Sequence, residues 1–229
     1  MLFVDPDGLT HYSINSDGYI VAMKDKEGNI IGKDDKFDML YAAYKKGNVN
    51  DKVEALKVND QTILSGLSTD RKGTDDNYTK TSSAEAGNVF IFAANNSNVE
   101  WGMQAVKNEN GTQYVLATSH SNSTVDIDGA RSNFGFKENQ ITFDLHSHPG
   151  DANWEGTRGA SGDMRSTTGG YIGDMSRITN RYNRLGSSLP NHYVYHKKSN
   201  NLYNYTPWNS SIYIKTVKST SGLNFLLRR

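Results

Sequence analysis

The spacing of apolar positions changes period several times along this chain, and each change predicts an element. Tyr19-Ile20-Val21-Ala22-Met23 and Ile30-Ile31 are punctuated by Asp17-Gly18 and Gly28-Asn29, which predicts a hairpin or meander. Phe37, Leu40, Tyr41 and Tyr44 fall at helical spacing and predict a helix. Val53, Leu56, Val58, Ile63 and Leu64 suit either a strand or a short helix. Residues 68–81 are polar and predict a linker, dividing the chain into a β-rich N-terminal extension, 1–75, and a main domain, 76–229.

The main domain opens on Ser82-Ser83-Ala84-Glu85, a capping box that predicts a helix start at Ser82. Ala86, Val89, Phe90 and Ala93 continue it as one apolar stripe. Strands are predicted over 99–106, over 113–119 after the Asn110-Gly111 turn, over 123–127 and over 141–148. A second helix begins at Asp174, with Met175, Ile178, Tyr182 and Leu185 on one face and Gly186 as its stop. Residues 192–196 and 202–205 predict a hairpin, and 211–217 a last strand. The expected fold class is α+β, a mixed sheet flanked by helices.

Composition narrows the function. Lys and Arg total 25 against 25 Asp and Glu, so no charge excess points to nucleic acid or an anionic membrane. No apolar run is long enough to predict a membrane span, and no secretory signal pattern opens the chain. The absence of cysteine leaves histidine and carboxylate as the only ligands for a zinc ion.

The candidate chemistry centres on Asp144-Leu145-His146-Ser147-His148-Pro149-Gly150. Residues two apart on a strand share a face, so His146 and His148 aim two imidazoles at one point. Pro149 cannot donate to a ladder and ends the strand. This stretch resembles the JAMM (MPN-type) zinc metallopeptidases, whose motif is an upstream Glu, then H-x-H-P, then S-x-x-D. The resemblance implies a JAMM or cytidine-deaminase-like fold with one Zn2+ per chain. It also implies a glutamate base on a strand after the first helix, a serine for the oxyanion and an aspartate as third ligand. Glu100, a lone acid in an uncharged strand, fits the base, with Glu109 and Glu138 as rivals on turns. Ser161 fits the serine. Ser161-Gly162-Asp163 is one residue short of S-x-x-D, so the third ligand is Asp174, at a helix start, or alternatively Asp163. Asp144 shares the face of the two histidines and suits a supporting role. The glycine-rich residues 150–173 predict a long loop that is either a substrate flap or a surface loop.

Asp5-Pro6-Asp7-Gly8-Leu9 is similar to the D-P-x-G-L junction of Rhs-type polymorphic toxins, where the shell ends and the toxin begins. Together the two resemblances imply a zinc peptidase or isopeptidase at the C-terminus of an Rhs-type polypeptide, exported as part of it and delivered into target cells in interbacterial competition. Its partners would be a protein or peptide substrate, the Rhs shell and a cognate immunity protein. Asp-Leu-His-Ser-His is also similar to the opening motif of PHP phosphoesterases, which hold two or three metals. A third reading is a metal-free JAMM-shaped binding module.

Overall fold

The computed structural model describes residues 10–31, 36–42, 54–68, 76–149, 173–217 and 223. The first four strands are β1 (Thr10–Ile14), β2 (Ile20–Ala22), β3 (Asp38–Ala42) and β4 (Ala55–Val58), in the order β2-β1-β3-β4. The β1–β2 turn forms because Asn15 Oδ1 accepts the amides of Asp17 and Tyr19, while Gly18 takes a positive φ. Phe37, Leu40 and Tyr41 do not start a helix. Parallel pairing with β1 and antiparallel pairing with β4 hold 38–42 extended, and Leu40 is buried between them. Tertiary pairing overrides the local spacing here. Asp60 caps α1 (Gln61–Leu67) by accepting the Thr62 amide, and Ile63, Leu64 and Leu67 are fully buried.

The larger sheet has seven strands. In chain order come β5 (Asn77–Thr81), α2 (Glu85–Asn96), β6 (Trp101–Asn108), β7 (Gly111–Thr118), α3 (Ile127–Asn133), β8 (Ile141–His148), α4 (Gly173–Leu185), β9 (Asn191–His196), β10 (Asn201–Thr206) and β11 (Asn209–Thr216). The spatial order is β11-β10-β9-β8-β6-β7-β5, antiparallel except for the parallel pair β8–β9. Mixed sheets flanked by helices make this an α+β fold.

Three more predicted features are corrected. Part of the supposed linker, 77–81, is the edge strand β5, zipped onto β7. The helix start uses Ser83, not Ser82: Ser83 Oγ accepts the Glu85 amide. The Glu85 carboxylate turns away to the amides of Asn59 and Asp60. Residues 123–127 are not a strand, because Asp126 Oδ1 accepts the Gly129 amide and starts α3.

The helices divide between the two faces of the large sheet. Phe90 and Ala93 of α2 belong to one cluster with Trp101, Met103, Leu145 and Tyr195. That cluster also takes in Tyr12, Ile14, Ile20 and Leu40 of the small sheet. The opposite face is covered by α3, with Ile127 against Val115 and Ala117, and by α4, with Met175 and Ile178 against Val194, Tyr203 and Tyr205.

Candidate metal centre

Strand register assembles the centre. Asp144, His146 and His148 alternate onto the face that α4 covers. Antiparallel pairing with β6 sets Gln104 beside Asp144 and Gly102 beside His146. Glu100, two residues before Gly102, falls on the same face next to His148. Parallel pairing with β9 sets His192 beside Asp144 and His196 beside His148. Between the two histidines Ser147 faces the other way, and its Oγ accepts the Trp101 amide at 3.0 Å. That bond ties β8 to the segment that carries Glu100.

Three ligand-type atoms converge. His146 Nε2 lies 3.1 Å from His148 Nε2 and 3.1 Å from Asp174 Oδ2, and His148 Nε2 lies 3.4 Å from that oxygen. A zinc ion with bonds of about 2.0–2.1 Å in tetrahedral geometry needs donor separations of about 3.3–3.4 Å. The donor set and its spacing therefore fit such an ion, and the group is buried apart from part of Asp174. Asp174 stands in the first turn of α4, where the helix dipole favours a carboxylate. Burial opposes its charge, but the two imidazoles outweigh that cost and hold its carboxyl well below the usual range.

Glu100 Oε1 is 3.9 Å from His148 Nε2. Burial raises the Glu100 carboxyl to about 7, against the pull of His148. The negative Asp174 pushes in the same direction as burial, and Arg177 opposes both. A carboxyl poised there exchanges a proton readily at neutral pH. Its backbone is fixed on both sides. The Glu100 amide donates to Ser121 O at 2.7 Å, and Thr118 Oγ1 donates to Glu100 O at 2.9 Å. Just upstream the Asn98 amide donates to Ser16 O, and Gly18 packs on Val99, so the β1–β2 turn backs this segment.

Beneath the triad lies a charged cluster. Asp144, fully buried, accepts from Arg177 Nη2 at 2.9 Å, Arg181 Nη1 at 2.5 Å and Gln104 Nε2 at 3.0 Å, all on Oδ2. Asp128 of α3 accepts from Arg177 Nε, Arg181 Nη2 and Gln104 Nε2. Burial lowers His192 to about 4 despite the nearby Asp144, so it is neutral. The sequence reading missed Asp128, Arg177 and Arg181. The available signal was that 174, 177 and 181 lie on one helical stripe.

Ser161 and Asp163, with the rest of residues 150–172, lie outside the described residues. Glu109 is exposed on the β6–β7 turn, and Glu138 pairs with Arg181 and Arg184. His120 faces the small sheet, stacked on Tyr19. His196 Nδ1 is 2.9 Å from Ser199 Oγ.

Residues 78–168 match the family model described as JAB-like toxin 1. The match takes in Glu100, His146 and His148, ends before Asp174, and supports a JAB-like toxin domain. No curated protein matches the chain, and no solved structure does.

Proposed function

We propose that this chain is a zinc-dependent peptidase or isopeptidase, the C-terminal toxin of an Rhs-type polypeptide that carries it into target cells. The observation behind the reading is the triad His146, His148 and Asp174 at tetrahedral spacing, with the raised carboxyl of Glu100 beside it. His146 Nε2, His148 Nε2 and Asp174 Oδ2 would hold the ion. When bound, such an ion supplies Lewis acidity to a carbonyl and makes water acidic near neutral pH. Glu100 takes up a proton at its carboxylate and returns it to the leaving amine. Ser161 would donate to the developing oxyanion. The substrate is a protein or peptide, and an immunity protein would neutralise the activity in the producing cell.

A phosphoesterase of the PHP type needs further metal ligands. Among the described residues the triad is the one such group, and His192 is surrounded by Asp144, Arg177 and Arg181 instead. The test is metal analysis of the purified protein together with Glu100→Gln. About one zinc per chain, retained in the variant while toxicity is lost, is the expected result. Two or three metals would favour the phosphoesterase, no metal the binding module, and a fully toxic Glu100→Gln would remove Glu100 as the base.

A further inference from the structure

Helix α4 meets β8 at two levels. At the upper level Asp174 faces His146 and His148. At the lower level Arg177 and Arg181 each donate one hydrogen bond to Oδ2 of Asp144, which is two residues before His146 on the same strand face. Arg181 is buried with Asp144, at 1% and 0% exposure. Arg177 and Arg181 are three and seven residues beyond Asp174, hence on its side of the helix. The spacings agree. From Asp144 to His146 is about 6.6 Å along a strand. From Asp174 to the midpoint of the two arginines is about 7.5 Å along a helix.

The apolar contacts of α4, Met175 and Ile178 on Val194, Tyr203 and Tyr205, hold the helix down without fixing it lengthwise. Two guanidinium groups that each donate to Asp144 Oδ2 do fix it, because their donors are directional. Asp128 on α3 accepts from Arg177 Nε and Arg181 Nη2, Glu138 accepts from Arg181 Nε, and the two carboxylates brace the guanidinium groups from the side. A slide of one residue would shift the helix by about 1.5 Å and take Asp174 off the two imidazoles. A buried ion cluster is a costly way to gain stability alone, since apolar residues of like volume do as well or better. Its value here is registry.

We infer that Asp144, through Arg177 and Arg181, is the positioning residue that sets Asp174 against His146 and His148. The inference rests on the metal reading above. It predicts that zinc affinity, rather than folding alone, depends on residues that never touch the ion.

The test measures zinc affinity by chelator competition, the cobalt(II) absorption spectrum, and melting of the metal-free protein. Asp144→Asn keeps the shape and removes the charge. Arg177→Gln, at a side chain that is 27% exposed, serves if Asp144→Asn does not fold. Zinc affinity should fall about 10–100-fold in either variant, with cooperative melting retained. The cobalt spectrum should lose intensity as the carboxylate ligand leaves. Arg177→Lys, which keeps the charge without the fork, should recover only part of the loss. Adding Asp174→Ala to Arg177→Gln should then cost much less than Asp174→Ala costs in the parent. Variants that bind zinc like the parent, or losses that simply add, overturn the inference while leaving the metal site standing. A parent that binds no zinc overturns the metal reading, and this inference with it.

Discussion

Among the described residues burial lifts two carboxyls to about 7, Glu100 at the candidate centre and Asp38 at the head of β3. Asp38 is the informative control because it stands in the small sheet, outside the candidate centre. It is 2% exposed, and its Oδ2 has no hydrogen-bond partner among the described residues. Burial is the main cause of its raised value, and repulsion from Asp60 adds to it, while a hydrogen bond from Gln61 opposes both. The folded value, about 7, lies above the unfolded 3.8, so the folded state binds more protons between the two. Stability is therefore full below about pH 4 and is lost as pH rises toward 7. A rise of about three units corresponds to a ceiling of about 4 kcal/mol, at about 1.4 kcal/mol per unit. Asp38→Asn keeps the shape and stays neutral throughout. Urea unfolding of parent and variant should agree at pH 4 and diverge by pH 8, the variant being more stable by a few kcal/mol at most. Parallel pH profiles, or a variant weaker than the parent at pH 8, would refute the assignment of burial as the cause.

Two further outcomes test the site and its support. Asp174→Ala should lower the zinc content of purified protein more than Asp163→Ala does, and the reverse order would move the third ligand to Asp163. Gly18→Ala should lower the melting temperature through a loss of about 1–3 kcal/mol, since Gly18 has φ +79° and a Cβ there would stand 2.5 Å from Val99 Cγ2; differential scanning calorimetry reads it directly.

The part of the site built on one strand was legible in the sequence. His146-Ser147-His148-Pro149 needs only the two-residue alternation and a stop, and β8 supplies both. Glu100 and Asp174 were put with the histidines by the family resemblance, not by any local pattern. Their closeness depends on the β6–β8 register and on the lie of α4, which no local pattern encodes. The arginine cluster was hidden for the same reason. Arg177 and Arg181 look like solvent-facing charges until Asp144 and Asp128 are brought beneath them. The misread elements fail in physical ways. Residues 38–42 carry helical spacing yet lie between two strands, and residues 77–81 are polar because an edge strand of this kind keeps one flank toward water.

The small sheet is not ornament on the larger one. Tyr12, Ile14, Ile20, Leu40, Ile63 and Leu64 share a single apolar interior with α2, and the first hairpin leans on the peptide just ahead of Glu100. A fragment trimmed to residues 78–168 would keep both imidazoles and the glutamate but bare the underside of α2 to water. Such a fragment should be sticky and poorly soluble, and the Glu100 segment would lose the wall it rests against.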